Sequence, residues 1–451
     1  MNILYNYHIS NRKGEFILPP QLILYKNFTI CMVTKMKKLL SVLLLIIAFS
    51  SLSACGKQGN SQPVSDDPTN GINNGLKSNE YGDTVTDYGT QAYEKTSFEI
   101  GKDDQPFFIS KTGMNISNGS GEYTFYNNTL YYYDNKVQKA VIACGKPDCQ
   151  HITNVDEGES DCNAFFPNSI FYFDKGYAYY NDNIYMLGRG SDSDNSVSLY
   201  KISSDASKRE EVLKLFETSD INNIGVFTIH RKYAFWSLNT QKGTQLFRMN
   251  LDDKKVEQVF RENDNGVFIT RFIGAGDYLY FSYSYATDES YDNWDGYICR
   301  LNIHSGQTKK IINTTGCYTV MNNKIYYFDS NKFFQCELNG ENNSNFIDAP
   351  DDSWLIVGDT KYLYLTNWDN EITDSSSYKI FVVSTDGKII DTIPISDCEF
   401  FRGGLSDNLY IETTDRKLKV FAKNQIGTGK YNWKTIYTVS DTGEVILNEW
   451  I

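Results

Sequence analysis

Polar and apolar residues alternate along this chain in a phrase that recurs seven times. Each copy opens with a short polar turn, continues with an aliphatic residue and ends in aromatic side chains, as in Asn322–Tyr326. The copies end, in chain order, at Tyr131, Tyr185, Phe235, Tyr280, Tyr326, Tyr364 and Tyr410. Successive copies lie 38 residues apart at the closest (326 to 364) and 54 at the widest (131 to 185). Repeats of about 40–50 residues are typical of four-stranded propeller blades, so the pattern predicts about seven blades.

A second phrase follows several copies and predicts the remainder of each blade. Alternating polar and apolar residues run into a tight turn at Leu199–Ile202, Leu246–Asp252, Ile298–Ile303 and Phe333–Gly340. This pattern is typical of a strand that enters a hairpin. We therefore predict an inner strand, an Asn/Asp turn, the aromatic strand, a loop, a third strand, a turn and an outer strand. The predicted fold is all-β: a single β-propeller of about seven four-stranded blades, spanning residues 96–451.

The N-terminal region has the pattern of an export signal rather than of a folded domain. Residues 36–54 combine lysines, an apolar run at 39–49 and small residues before Cys55. This run is too short to span a bilayer stably, and its order is that of a secretory signal peptide. The ending Leu52–Cys55 resembles the bacterial lipobox, which implies lipidation of Cys55. The prediction is a protein anchored by lipid to the extracellular face of the cell membrane.

Two flanking segments complete the predicted organisation. Residues 1–35 precede a complete signal and are predicted to be a mis-assigned upstream extension, absent from the mature protein. Residues 55–95 are rich in Gly, Asn, Ser and Asp and contain few aliphatic residues. A segment of that composition buries too little apolar area to offset the entropy lost on ordering, so it is predicted to be a flexible stalk.

Composition limits the kinds of binding partner and of catalytic mechanism that this protein can have. The formal net charge is −13, and a negative chain repels phosphate backbones, which argues against a nucleic-acid partner. The whole chain has 4 His, which limits histidine-dependent catalysis. No G-x-S-x-G elbow, H-E-x-x-H motif, P-loop or dinucleotide-binding motif after a strand is present. Paired carboxylates on separate blades remain compatible with the sequence.

The sharpest local motif is a cluster of cysteines in the first predicted blade. Cys144, Cys149, His151 and Cys162 place three thiols and an imidazole within 19 residues. Such a set can form a tetrahedral Cys₃His site for structural Zn²⁺, although the spacing differs from the common C-x2-C knuckle. One alternative is a disulfide with one cysteine left over, since exported thiols meet oxidising conditions. The other is that the thiols are free. The cluster follows the predicted third strand, Ala140–Ala143, and is predicted to take the place of an outer strand.

Three predicted loops are long enough to carry a ligand site: Arg189–Ser198, Ser282–Gly296 and Asn367–Ser377. Two of them mix aromatic residues with carboxylates, which suit the apolar face and hydroxyl rim of a sugar. These candidate ligand-binding residues are Tyr285, Tyr291, Asp292, Trp294, Asp295, Trp368, Asp369 and Glu371. The alternative is that these aromatics pack locally in ordinary solvated loops. The remaining singleton cysteines, Cys299, Cys317, Cys336 and Cys398, are predicted to be small buried apolar residues.

The repeated aromatic and Leu-Tyr-Lys phrases resemble those of TolB-like β-propeller surface lipoproteins from low-GC Gram-positive bacteria. This resemblance covers the region after the stalk and implies the propeller fold and a cell-surface location. It does not define an activity, because propellers support binding, scaffolding and catalysis alike. The leading prediction is a non-catalytic binding module for an extracellular glycan, peptide or envelope partner. The alternative is an extracellular polysaccharide- or peptide-degrading hydrolase or lyase with carboxylates at the propeller channel.

Overall fold

The repeats fold into seven antiparallel β-sheets in the computed structural model. The described residues are 115–126, 128–151, 160–167, 169–190, 195–218, 220–240, 243–263, 267–288, 293–359, 361–367, 378–404, 407–439 and 445–447. The chain divides into the units Met1–Ser65 and Asp66–Ile451, and all seven sheets belong to the second unit. Cys55 and the predicted extension, signal and stalk lie outside the described residues. Within those residues, no helix is long and apolar enough to cross a membrane.

Each sheet is one blade of a β-propeller and is built from one continuous stretch of chain. Blade one contains β1 (Asn115–Ser117), β2 (Gly121–Tyr126), β3 (Thr129–Asp134) and β4 (Lys139–Ile142). Blade two contains β5 (Tyr177–Tyr180), β6 (Asn183–Gly188), β7 (Ser196–Ser203) and β8 (Arg209–Glu217). Blade three contains β9 (Ile224–His230), β10 (Tyr233–Thr240), β11 (Gly243–Asn250) and β12 (Val256–Glu262). Blade four contains β13 (Phe268–Ala275), β14 (Tyr278–Ala286), β15 (Trp294–Asn302) and β16 (Thr308–Asn313).

The remaining three blades follow the same order. Blade five contains β17 (Tyr318–Met321), β18 (Lys324–Asp329), β19 (Lys332–Glu337) and β20 (Ser344–Asp348). Blade six contains β21 (Leu355–Gly358), β22 (Leu363–Thr366), β23 (Lys379–Val383) and β24 (Ile389–Pro394). Blade seven contains β25 (Cys398–Gly403), β26 (Asn408–Thr413), β27 (Lys417–Ala422), β28 (Lys434–Val439) and a fifth strand, β29 (Val445–Leu447). The prediction of an all-β propeller with seven blades is confirmed.

The first strand of each blade is the innermost, because the first strands of consecutive blades contact one another from β1 to β21. The polar phrases form the turns that leave these strands in blades two to five. Asn322 and Asn323, for example, join β17 to β18 with φ values of 50° and 60°. Two positive φ values define a type I′ hairpin turn, which Asn tolerates better than most residues do. The Asn/Asp pairs of blades two and five therefore suit the backbone geometry of their turns.

The core lies between neighbouring blades, where the aromatic residues of the repeats interlock. Trp236 of blade three is fully buried and stacks on Phe247 at 5.7 Å, and both pack with Leu199 of blade two. Burial of one such side chain contributes on the order of 2–3 kcal/mol. Blades three and four fit closely at Gly274, where a Cβ would lie 2.3 Å from Nδ1 of His230. Only glycine fits at that position.

Blade one departs from the prediction by one strand. The turn at Asn128 joins β2 to β3, whereas the corresponding turns of the other blades join the first strand to the second. The shift arises because β1 has only three residues, Asn115–Ser117, which pair with β2 through Ile116 and Tyr123 and carry no repeat signal. Residues 140–142 therefore belong to the outer strand β4. The assignment of Ala140–Ala143 as a third strand was wrong, and the cysteine segment follows an outer strand instead of replacing one.

Side chains close the ring between blade seven and blade one. Tyr437 packs against Tyr126 and Tyr131 with ring centroids 5.2 and 5.6 Å apart, and Tyr133 meets Tyr410 edge-on at 6.2 Å. Within the described strands, no sheet combines strands from the two ends of the chain. We call the junction formed by these five tyrosines the closing seam.

Candidate metal centre and binding surface

The cysteine motif lies in the long connection between β4 of blade one and β5 of blade two. This connection has 34 residues, 143–176, whereas residues 314–317 suffice to join β16 to β17. Ala143 and Ala164 flank the segment and both hydrogen-bond to the backbone of Leu130 in β3, at 2.9 Å each. The two ends of the cysteine segment are therefore brought together by pairing with the same strand residue.

The structure brings all four predicted ligands together. One ligand atom from each of Cys144, Cys149, His151 and Cys162 lies within 4.8 Å of the others. The Cys162 sulfur is 3.7 Å from Nδ1 of His151. Zn–S and Zn–N bonds at a tetrahedral angle would place these atoms about 3.6 Å apart. These residues, which we call the Cys₃His cluster, could hold a metal ion. All three cysteines are free in the structure.

Backbone amides surround the sulfur atoms of the Cys₃His cluster. The sulfur of Cys149 accepts a hydrogen bond from the amide of His151 at 3.4 Å, and the amide of Ala164 donates to Cys162 in the same i to i+2 pattern. Cys144 accepts from the amides of Lys146 and Asn163. Such donors stabilise a thiolate, which is the form that binds metal.

The environments of the buried and the less buried thiols differ. Burial raises the pKa of Cys144, but hydrogen bonds from the two backbone amides and the neighbouring thiols together lower the pKa overall. Burial, with a smaller contribution from neighbouring thiols, raises the pKa of Cys162 to about 12. Cys162 is 4% exposed, whereas His151 is exposed to solvent. Cys162 therefore anchors the cluster in the core, and His151 forms its outer edge.

Two cations support the segment that carries the ligands. Lys146 Nζ lies 2.5 Å from the carboxylate of Asp161 and links the first half of the motif to the second. Arg209 of β8 donates to the carbonyl of Asn163 and, at 2.7 Å, to that of Phe165. Its guanidinium also lies 3.9 Å above the ring of Phe166. Arg209 thus holds the backbone on both sides of Ala164 from the neighbouring blade.

The donor set of the Cys₃His cluster fits a structural tetrahedral metal. Three sulfurs and one imidazole nitrogen are soft to borderline ligands that suit Zn²⁺. Four ligands from the protein complete a tetrahedron, and a catalytic site would keep one position open for water or substrate.

A second group of predicted residues lies at one end of blade four. Tyr285 and Asp295 face each other in paired strands, and the Tyr285 hydroxyl donates to Asp295 Oδ2 at 2.9 Å. The predicted loop Ser282–Gly296 was therefore too long, since β14 continues to Ala286 and β15 begins at Trp294. The physical reason is the alternating Ser/Tyr sequence, which pairs well across the two strands. The amide of Gly296 also donates to Asp295 Oδ1 at 2.7 Å.

The aromatic surface of blade four includes a residue that the sequence pattern did not single out. The ring of Trp294 meets the ring of Phe268 edge-on at 5.2 Å, with an interplanar angle of 63°. Phe268 begins the innermost strand, β13, and Trp294 begins the third strand, β15. Both rings are partly exposed. We call Phe268, Tyr285, Trp294 and Asp295 the blade-four surface.

The topology places this surface on a defined face of the propeller. In an antiparallel four-stranded sheet, the loop between the second and third strands lies at the same end as the connection to the next blade. We call the face with these segments the loop face. Phe268 follows a blade connection and Trp294 follows a second-to-third loop, so both lie on the loop face. The connection that carries the Cys₃His cluster belongs to the same face.

The other predicted binding residues lie outside the described part of the chain. Tyr291, Asp292, Trp368, Asp369 and Glu371 are in this group, so their role stays a prediction. At the edge of the third predicted loop, Asn367 Oδ1 accepts a hydrogen bond from the amide of Lys379 at 2.9 Å. This bond joins β22 to β23 where that loop begins.

Two buried carboxylates elsewhere in the propeller are engaged by cations. Asp359 of blade six pairs with Lys423 of blade seven at 2.6 Å and also accepts a hydrogen bond from Tyr364. Glu412 pairs with Arg402 inside blade seven. Both carboxylates therefore contribute to packing within and between blades. Of the singleton cysteines, Cys299, Cys336 and Cys398 are buried as predicted, whereas Cys317 is only half-buried and contacts Arg271 at 3.5 Å.

Comparison with known proteins shows similarity to solved structures only. No protein-family model and no curated protein matches the sequence. TolB from Acinetobacter baumannii is similar in structure, with 13% identity over 75% of this chain and 81% of that chain and a TM-score of 0.37. An oligogalacturonate lyase from Vibrio parahaemolyticus has 9% identity over 74% and 88%, with a TM-score of 0.40.

A prolyl endopeptidase gives a TM-score of 0.45 with 10% identity over 78% of this chain. The match covers only 51% of that protein, so the chain spans about half its length. These similarities concern the fold. The class of protein that the seven sheets define is the β-propeller.

Proposed function

We propose that this protein is a non-catalytic binding propeller that recognises an extracellular glycan through the blade-four surface. The observation that carries the proposal is the edge-to-face pair of Phe268 and Trp294 beside the Tyr285–Asp295 hydrogen bond. Aromatic rings can cover the apolar face of a sugar, and a carboxylate and a phenol can bind its hydroxyls. The surface combines both kinds of group on the loop face.

The packing behind the blade-four surface supports a preorganised site. Tyr283 is fully buried and stacks on Tyr285 with centroids 6.2 Å apart, and Tyr297 lies 5.8 Å from Tyr283. Lys310 Nζ lies 4.9 Å from the centroid of Tyr297. Because these neighbours restrict the Tyr285 ring, little side-chain entropy would be lost when a ligand binds.

The Cys₃His cluster has a different role in this proposal. We infer that it binds Zn²⁺ and holds the long connection between blades one and two. Its four protein ligands leave no position for a reacting water, which supports a structural role. The sequence around Cys55 supports export and lipid anchoring, so the propeller would be displayed on the extracellular face of the cell membrane.

A glycan array probed with residues 96–451 tests the binding proposal. We expect a defined set of glycans to bind, and we expect Trp294→Ala and Phe268→Ala each to weaken binding at least tenfold. Trp433→Phe is a matched control, because Trp433 packs on Phe421 in blade seven, away from the surface. Undiminished glycan binding by both blade-four variants would show that the site lies elsewhere.

The enzymatic alternative is tested with the same preparation. Glycans that bind are incubated with the protein, and new reducing ends or unsaturated products are measured. A non-catalytic module leaves them intact. Glycan cleavage would identify a hydrolase or lyase instead if it persists in Trp294→Ala and is abolished when a carboxylate is replaced.

A further inference from the structure

The closing seam contains a small cavity between blade seven and blade one. Its volume is about 10 Å³, close to the smallest that holds one water molecule. The lining includes Glu122 and Thr124 of β2, Tyr410 of β26 and Tyr437 of β28. A wholly apolar gap of this size would stay dry, but four buried polar atoms at its edge, from Glu122, Thr124, Tyr410 and Tyr437, favour a polar occupant.

Three hydroxyl groups in this cavity are buried and have unused hydrogen-bonding capacity. Thr124 is 5% exposed, Tyr410 is 1% exposed and Tyr437 is fully buried. No hydrogen bond of normal length joins these oxygen atoms to a described residue, although the Tyr410 hydroxyl faces Asn408 and Glu122 and the Thr124 hydroxyl faces Tyr177. Burial of a hydroxyl without a partner costs about 1–3 kcal/mol, so three such groups around one cavity point to a shared ligand.

The donors and acceptors of the lining match those of a water molecule. A water molecule donates two hydrogen bonds and accepts two. Burial raises the pKa of Tyr410 and of Tyr437 well above the usual value, so both phenols stay protonated and can donate. The carboxylate of Glu122 accepts, and the hydroxyl of Thr124 can do either.

We propose that the closing seam holds one buried water molecule, bound by the hydroxyls of Thr124, Tyr410 and Tyr437 and by the carboxylate of Glu122. The site is independent of the Cys₃His cluster and of the blade-four surface. Blade one contributes Thr124 and Glu122, and blade seven contributes both tyrosines. The water therefore bridges the two ends of the ring, where the contacts are between side chains.

The substitutions Tyr437→Phe and Tyr410→Phe test this proposal because the two possibilities predict opposite signs. If a water is bound, each variant loses a hydrogen bond and melts about 2 °C lower than the wild type. If the cavity is empty, each variant removes an unsatisfied buried hydroxyl and melts at a higher temperature. A rise in melting temperature for both variants would overturn the proposal.

A crystal structure at high resolution gives the direct readout. We expect one density peak in the cavity with contacts of 2.7–3.2 Å to its oxygen partners. An empty cavity, or a peak with the shorter contacts of a metal ion, would contradict the assignment. The double variant should lose less stability than the two single variants together, because both phenols bind the same molecule. Tyr280→Phe is the control, since its hydroxyl donates to the Leu338 carbonyl at 3.0 Å.

Discussion

The two junctions of blade one are built on different principles. Towards blade two, Gly145 donates from its amide to the carbonyl of Asp205 at 2.8 Å, and Arg209 binds the backbone around Ala164. Towards blade seven, the closing seam is made of tyrosine rings and of side-chain hydrogen bonds such as that between Asn408 and Asn135, at 2.8 Å. The first junction combines ring packing, such as Phe125 on Tyr177 at 4.8 Å, with directed backbone contacts and a candidate metal site. The second is formed by side chains among the described residues. If the Cys₃His cluster binds a metal as proposed, the metal would add to the attachment of the N-terminal blade.

The largest effect is expected from removal of the metal. The purified domain should contain one zinc per chain, and chelation should cost about 4 kcal/mol or more of unfolding free energy. Because the ligands bind as thiolates and neutral imidazole, protons compete with the metal, and this stabilisation should decline as the pH falls. Elemental analysis and thermal unfolding between pH 5 and 8 measure both effects.

Cys162→Ala and Cys336→Ala are the matched pair for this experiment. Both cysteines are buried, but only Cys162 belongs to the Cys₃His cluster. Hydrogen exchange should show that metal loss unprotects β1–β4 before the other strands. Equal zinc content in the two variants would contradict the proposed difference between the junctions. Loss of amide protection that is uniform over all strands would contradict it as well.

The next largest effect is expected at the closing seam. Tyr437→Ala removes a fully buried ring that contacts Tyr126 and Tyr131, and it should destabilise the propeller by about 3–4 kcal/mol. Zinc content should not change, since the seam lies on the other side of blade one. Urea unfolding of the metal-loaded domain gives the free energy. A loss of zinc in this variant would show that the two junctions are coupled.

Arg209→Ala tests the support of the Cys₃His cluster from blade two. We expect a loss of about 2 kcal/mol and a tenfold or greater drop in zinc affinity, because the carbonyls beside Cys162 lose their donor. Competition with a chromophoric chelator measures the affinity. Lys208→Ala changes the neighbouring exposed charge and should leave it unaltered. If both variants hold zinc equally, Arg209 has no role in the site.

The smallest effect is expected from Asn408→Ala. Its amide shares a single hydrogen bond with Asn135 across the closing seam, so the cost should be about 1 kcal/mol. Thermal unfolding detects a change of this size. A cost above about 3 kcal/mol would mean that polar contacts, and not the tyrosine rings, carry the seam.

Most of the fold could be predicted from the repeat, because each blade repeats the same sequence pattern of a turn followed by a buried strand. Asn322–Tyr326 specifies a turn and a buried strand by short-range rules alone, and the same rules apply in blades two to seven. Blade one was misaligned because Asn115–Ser117 is too short for an alternating pattern. The sequence pattern did not show that β14 continues to Ala286 and β15 begins at Trp294. These two strand ends pair with each other, and a loop separates them in the sequence.

The candidate sites were predictable to different degrees. The four ligands of the Cys₃His cluster lie close together in sequence and have distinctive chemistry, so residue type alone grouped them. Arg209 lies 47 residues after Cys162 and has an ordinary side chain, so only the packing of blade two on blade one shows its role. Phe268 was missed for the same reason. One signal for it was its position at the start of an inner strand, beside a blade connection.

The construction of each blade from one uninterrupted stretch of chain has a consequence for how such rings evolve. A gene duplication that begins and ends in two blade connections adds a complete sheet with all its backbone hydrogen bonds satisfied internally. The added blade then fits into the ring if its two faces are complementary to those of the neighbouring blades. The number of blades can therefore change one blade at a time, and no intermediate is needed in which strands from the two chain ends pair in one sheet.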